Sequence, residues 1–324
     1  MASASGCNCS TPRTSWARFI TGTLRRVCYD LFHLYNELSR NQLVIGPDQR
    51  IEETGMREYL YGRTGERFSP EAAAMSPWDR RLQGGVALGA LLTHLVEETP
   101  APSPMLLTRL TIDIIRPVPF QPLVGRAEII RDGRNMQNIE ARLEHEGALV
   151  AAASAVRVRL AETPASPMTG DYPPPEDAPD RPLVRSDRRR GGLETRILSG
   201  GLLESGPGQA WGRPAMDLFP GTPVSLTAGA AMVADIGSAV SSEVDSRRWS
   251  FANVDLVLHF TRAPESEWVL IDARTLSAGN GVGLVDSILA DRRGPFARAH
   301  QTLFIAPQPA APTRPAAAVT EVVR

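Results

Sequence analysis

Apolar and polar positions follow one order twice along this 324-residue chain: a segment apolar without alternation, then four that alternate. Residues 84–96 read Gly-Gly-Val-Ala-Leu-Gly-Ala-Leu-Leu-Thr-His-Leu-Val, apolar on nearly every face of a helix, and such a helix must be buried all round. Residues 105–115, 123–131, 135–144 and 149–160 then carry β-branched residues in period-two alternation. Four strands are predicted, with hairpins at Asp132-Gly133 and Glu146-Gly147. The second round predicts a small-residue helix over about 226–240 and strands over 251–260, 268–277, 283–290 and 296–305.

Local matches tie the two rounds together. Arg116-Pro117 after the first strand returns as Arg262-Ala263-Pro264, Gly133 falls on Gly279, and Gly147-Ala148-Leu149-Val150 meets Gly294-Pro295-Phe296-Ala297. The spacing is constant except for one inserted residue before the third match, so a duplication is the economical reading. An α+β fold is expected in which each half is a long buried helix wrapped by a curved antiparallel sheet. The expected division is a partly helical extension over 1–50, a first domain over 51–160, a linker over 161–192, a second domain over 193–307 and a flexible tail over 308–324. Pro173-Pro174-Pro175 and Arg188-Arg189-Arg190 lie in the linker, where proline and mixed charge supply no core.

Composition removes several chemistries. All 35 basic residues are arginine, so Schiff-base catalysis, a P-loop lysine and a Ser-Lys dyad are excluded. Basic and acidic residues nearly cancel, to a net charge of -1, which leaves no footprint for nucleic acid. The cysteines, Cys7, Cys9 and Cys28, fall at the start of the chain, so no disulfide framework staples the body and a reduced, cytoplasmic setting is expected. No apolar run reaches the length of a membrane span. Residues 1–29 carry Arg13, Arg18, Arg25 and Arg26 with no acid, a pattern compatible with organelle targeting as well as with a docking extension. Cys7, Cys9, Cys28 and His33 do not have zinc-finger spacing, so no metal and no cofactor is expected. Gly279-Asn280-Gly281-Val282-Gly283 is read as a hairpin rather than a dinucleotide fingerprint, because it lies between two predicted strands and Leu284 stands where a further glycine is needed.

Several segments carry a resemblance. Pro77-Trp78 followed by Gln83-Gly84-Gly85 at the start of the first helix is similar to the corresponding motif of acyl-CoA thioesterases. Trp211-Gly212-Arg213, Ala234-Asp235, Phe251-Ala252-Asn253-Val254-Asp255, Glu267-Trp268 and Ala299-His300-Gln301 resemble the second half of the type II acyl-CoA thioesterase family, and the resemblance as a whole covers roughly residues 56–306. That resemblance implies a tandem (double) hot-dog fold and a role in lipid metabolism. It also implies hydrolysis of an acyl-CoA by a water that Asp235, Asn253 and Gln301 orient, with Gln83, Gly84 and Gly85 binding substrate. Asn253 stands where the best-known members carry Thr, and Gln83 where many relatives carry His.

The residue types suit the chemistry. A carboxylate raised by burial can take a proton from water, amides can hold water or carboxylate, and glycines at a helix start leave backbone N–H groups open to an oxyanion. Small residues Ala228, Gly229, Ala230 and Ala231 are expected to leave room for the acyl chain. Arg80, Arg81, Arg247 and Arg248 are candidates for the CoA phosphates, and Asp255 is expected to be an ion-pair partner, for example of Arg262. A homo-oligomer is expected from exposed sheet edges. The alternative reading is a non-catalytic acyl-thioester-binding or scaffold protein of the same fold. A dehydratase is disfavoured, since it needs a His at the helix start and His94 sits far inside the segment.

Overall fold

The structure is a computed structural model that describes residues 58–183, 192–246 and 248–308. In the first half, β1 (Tyr61–Thr64), β2 (Arg67–Pro70) and a 3-10 turn (Ala72–Ala74) lead into α1 (Gly85–Glu97), followed by β3 (Met105–Ile114), β4 (Leu123–Asp132), β5 (Met136–His145) and β6 (Ala148–Arg159). The second half has β7 (Leu193–Ser199), β8 (Gly208–Pro214), and the short pair β9 (Asp217–Phe219) and β10 (Thr222–Pro223). Next come α2 (Leu226–Asp235), α3 (Gly237–Val240), β11 (Trp249–Asn253), β12 (Asp255–Phe260), β13 (Val269–Ser277), β14 (Val282–Asp291) and β15 (Gly294–Pro307).

The strands form a 13-stranded sheet in the order β1-β2-β4-β5-β6-β3-β12-β15-β14-β13-β8-β7, with β11 also paired to β15. Its centre is the antiparallel pair of β3 and β12, in register from Asp113↔Asp255 to Arg109↔His259. These strands precede the repeated Arg-Pro and Arg-Ala-Pro motifs, and the order outward from them matches on the two sides: β6, β5, β4 against β15, β14, β13. Beyond β1, Leu60 donates to the carbonyl of Asp217 and Asp217 to that of Glu58, which ties the β1 edge of the first half to the separate β9-β10 pair of the second.

Both long helices lie against the inner face. Leu88, Leu91, Leu92 and Val96 of α1 and Ala230, Met232 and Val233 of α2 are fully buried in one core cluster. Burying each large aliphatic side chain contributes about 1.5–3 kcal/mol. The helices touch through small residues: a Cβ added at Gly89 would lie 3.8 Å from the Ala231 carbonyl oxygen. The small-residue run of α2 therefore serves close helix packing. Ala228, Ala230 and Ala231 are 0% exposed, so the expectation that they leave room for an acyl chain does not hold.

Three further differences from the sequence reading have physical causes. The helix expected over 226–240 breaks at Ile236, because Ala239 N–H turns to the Ile236 carbonyl instead of continuing the ladder to Asp235. The strand expected over 251–260 breaks at Val254, whose N–H reaches the Thr302 carbonyl while its own carbonyl accepts from Ile114. Residues 162–183 have no regular structure yet are not a bare linker. Tyr172 and Ala178 pack with Trp211, Leu270 and Ala290, and Trp211 Nε1 donates to the Pro173 carbonyl at 3.0 Å. The extension 1–50, Cys7, Cys9, Cys28, His33, Arg247 and the tail from 309 onward lie outside the described residues.

Candidate active site

The start of α1 is pinned before any reacting group is considered. Gly84 donates its N–H to the Ala74 carbonyl at 2.9 Å, and Gln83 N–H reaches Val118 at 2.9 Å. The Gln83 amide donates to the carbonyls of Pro119 (2.8 Å) and Gln121 (3.0 Å), and its oxygen accepts from Tyr61 Oη at 2.9 Å. Every polar position of that side chain is occupied, so Gln83 acts as a strut. Burial pushes the Tyr61 phenol far up, which keeps it a donor to Gln83. The N–H groups of Gly85, Val86 and Ala87 have no acceptor among the described residues, and they carry the positive end of the helix dipole.

Asp235, at the end of α2, is brought against this helix start. A Cβ on Gly85 would fall 2.6 Å from Asp235 Oδ1 and 2.9 Å from Oδ2, so only glycine admits the carboxylate here. The helix break leaves the Asp235 carbonyl without a backbone donor, and two side-chain amides supply it: Asn253 Nδ2 at 3.1 Å and Gln301 Nε2 at 2.9 Å. Asn253 Nδ2 also donates to Asp235 Oδ1 at 3.0 Å. Gln301 Oε1 accepts from Ser238 N–H at 3.2 Å, and Ser238 Oγ donates to Asn253 Oδ1 at 3.0 Å. The turn from Asp235 to Ser238 is thus held by an amide from β11 and another from β15.

A cavity of about 220 Å3 opens at this point. Its polar lining includes Asp235, Asn253, Ser238 and the Gly84-Gly85 backbone, and its apolar walls include Leu183, Leu193, Ile236, Phe251 and Phe304. Trp78 sits edge-on to Phe251, ring centroids 6.4 Å apart, and is itself 42% exposed, so it stands at the rim. Asp235 keeps some surface toward the cavity but is otherwise walled in by protein. Burial pushes its carboxyl up to about 6, against a smaller downward pull from the Asn253 hydrogen bond. That range suits a group that must accept a proton near neutral pH.

Of the six site residues expected from sequence, Gln83, Gly84, Gly85, Asp235 and Asn253 line the cavity. Gln301 is 1% exposed and gives its oxygen and one amide hydrogen to main-chain groups, so it acts on the turn that carries Asp235. Sequence reasoning missed Ser238, which no motif marks, and Leu183, which the linker contributes to the wall. Arg80 and Arg81 are exposed and do not line the cavity, although Trp78, Asp79 and Leu82 on either side of them do; Arg81 Nε lies 3.4 Å from the buried Asp79 carboxylate. Asp255 does not pair with Arg262: it accepts from Thr302 N–H (2.6 Å) and Oγ1 (3.1 Å), while Arg262 is bidentate to Asp291 (2.7 and 2.6 Å). The two lie at opposite ends of β12, roughly 20 Å apart along an extended strand. His94 sits near the end of α1, edge-on to Phe219 at 5.0 Å, and burial lowers its imidazole. No cluster of metal-ligating side chains occurs among the described residues. No helix among them is long and apolar enough to cross a membrane.

Comparison with known proteins identifies the class. An acyl-CoA thioesterase N-terminal domain model matches residues 74–158, and an acyl-CoA thioesterase C-terminal domain model matches residues 163–305. The chain belongs to the acyl-CoA thioesterase family. Among solved structures, a conserved protein of unknown function with a hot-dog fold from Alicyclobacillus acidocaldarius matches with TM-score 0.60 and 19% identity, over 78% of this chain and 96% of that one. The acyl-CoA thioesterase II TesB2 of Mycobacterium marinum matches with TM-score 0.55 and 20% identity, over 69% and 90%. A tesB protein of Mycobacterium avium subspecies paratuberculosis matches with TM-score 0.58 and 16% identity, over 76% and 96%. At these identities the likeness shows the fold, a hot-dog fold. A search of curated proteins finds no match.

Proposed function

We propose that this protein hydrolyses acyl-CoA thioesters to a free carboxylic acid and CoA in one composite site, built where the second half of a double hot-dog meets the first. In this reading the two units are 51–160 and 193–307, joined by 161–192. The observation that carries the proposal is the Asp235 carboxylate, raised to about 6, wedged between Asn253 and the glycine start of α1 and facing an apolar cavity. An unpaired buried carboxylate is costly, and a structural role would be filled more cheaply by an amide.

The chemistry follows from the arrangement. A water beside Asp235 gives a proton to the carboxylate as its oxygen bonds to the thioester carbon. The oxyanion that forms is stabilised by the open N–H groups of the first turn of α1. When the carbon–sulfur bond breaks, the proton on Asp235 passes to the departing thiolate, which restores the base. Asn253 keeps the carboxylate directed, and Gln301 and Ser238 hold the turn beneath it. The acyl chain lies in the apolar cavity, and the exposed Arg80 and Arg81, next in the chain to the cavity-lining Asp79, are offered to the CoA phosphates.

The test is thiol release from acyl-CoAs of several lengths by the purified protein. Release that D235N abolishes, while the variant still binds substrate, supports the proposal. A folded protein that binds acyl-CoA and releases no thiol would leave the non-catalytic binding reading instead.

A further inference from the structure

Ser238 departs from what a helical serine ordinarily does. Such a hydroxyl commonly bonds back to the carbonyl four residues earlier, as Ser241 does to Gly237 at 3.0 Å. Ser238 Oγ instead reaches across to another element and donates to Asn253 Oδ1 at 3.0 Å, from a side chain only 4% exposed. The Asn253 amide then has its whole polar edge assigned: oxygen to Ser238, nitrogen to both the carbonyl and the carboxylate of Asp235. An amide turned over would set Oδ1 against two acceptor oxygens, the one arrangement that charge forbids while Asp235 is ionised. Protonation of Asp235 relieves half of that conflict, so any loosening of the amide favours the protonated acid.

We propose that Ser238 is a positioning residue for the hydrolysis: its hydroxyl fixes the Asn253 amide with Nδ2 toward Asp235 and so keeps the carboxylate ionised and aimed. The inference rests on the reading of Asp235 as the base. It explains how Asn can occupy a position where the best-known members of the resembling family carry Thr: the longer amide needs a second anchor, and Ser238 provides it. The surrounding charges offer no other means of control. On the cavity wall, Asp79 is the further titratable group, and it bonds to Arg81. α1 has His94 and Glu97 in its last turn, far from Gly85, while α2 and β11 add no other ionisable side chain. β15 has Arg298 and His300, which face Asp286.

The experiment compares wild type, S238A, S238C and S238T in two measurements. The first follows the Asp235 carboxyl carbon by NMR through a pH titration, assigned by its loss in D235N; it needs no substrate. The second is the pH profile of kcat/KM for thiol release. S238A is expected to raise the Asp235 midpoint and the acid limb of the profile together, by about half a unit to one unit. The resulting loss is about three- to tenfold in rate on the acid side and little above pH ~8. S238C, of similar volume but a weak donor, is expected in between, and S238T to restore the wild-type values. A wild-type midpoint in S238A, or failure of S238T to restore it, overturns the proposal. Absence of thiol release by wild type overturns the hydrolase reading alone, since the carboxyl titration still decides the role of Ser238.

Discussion

Gly85→Ala tests the junction between the halves with one methyl group. The added Cβ would stand 2.6 Å from Asp235 Oδ1, 2.9 Å from Oδ2 and 3.0 Å from Cγ, all inside ordinary van der Waals separation. To restore contact at ~3.5 Å the carboxylate must withdraw by close to ~1 Å. Asn253 and Gln301 hold its carbonyl, so the withdrawal has to come from the side chain and strains the Asn253 bond. A displacement of ~1 Å at a reacting group costs about a hundredfold, equivalent to ~2.7 kcal/mol in the barrier. The backbone has no objection to alanine: Gly85 is the first residue of α1, and alanine is favoured over glycine in a helix by about 0.8–1 kcal/mol. Expected is a folded variant with melting temperature close to wild type and kcat/KM for thiol release down about a hundredfold. A folded G85A with kcat/KM within about threefold of wild type would refute the claim that Asp235 acts from this position.

Other outcomes follow from the same geometry. The kcat/KM profile should fall on the acid side with a midpoint near 6, where Asp235 takes up its proton. Because the folded value lies above the unfolded one, the folded state binds the extra proton between about pH 4 and 6, and stability is lost as pH rises through that window. D235N should therefore unfold at higher denaturant than wild type at pH ~7, by up to about 3 kcal/mol, with the advantage gone below pH ~4. Arg262→Ala leaves Asp291, whose side chain is 1% exposed, without its bidentate partner, and about 3–5 kcal/mol should be lost in urea unfolding at neutral pH. Burial would raise the Asp291 carboxyl, but Arg262 and the N–H groups of Glu265 and Arg293 outweigh it and hold it low. That contribution is present at neutral pH and fades as pH falls through the lowered value. Trp211→Phe removes the bond to the Pro173 carbonyl while keeping most of the ring, so limited proteolysis within 162–183 should accelerate several-fold, matching about 1 kcal/mol.

Much of the architecture was legible because hydrophobic periodicity is a local property. The helix over 84–96 appears as Gly85–Glu97, and the strands expected over 105–115 and 123–131 appear as Met105–Ile114 and Leu123–Asp132. β1, β2, β7 and β8 were missed: β1 and β2 have four residues each, β8 mixes glycine, arginine and proline with its apolar positions, and β7 does alternate, burying Leu193, Thr195 and Ile197, but is short and follows directly on the charged linker. The breaks at Ile236 and Val254 could not be read either. At Val254 both bonds go to distant strands, and at Ile236 a local turn is held by the Asn253 and Gln301 amides on the Asp235 carbonyl, so neither break is marked by a local breaker such as proline.

By itself, then, the chain's pattern of side chains determined the repeated order of helix and strands, the absence of lysine chemistry, and the residue types from which a water-activating site could be assembled. Tertiary structure alone decided which of them meet. Asp235 faces Gly85 because two buried helices cross the interface between halves, and Gln301 is turned inward by the carbonyl that a broken helix leaves open. Ser238 enters the network only because β11 lies beside that break. Burial in that setting moves one carboxyl into the range useful for catalysis. Periodicity encodes which face is apolar, whereas contacts between residues far apart in the chain depend on how those faces pack.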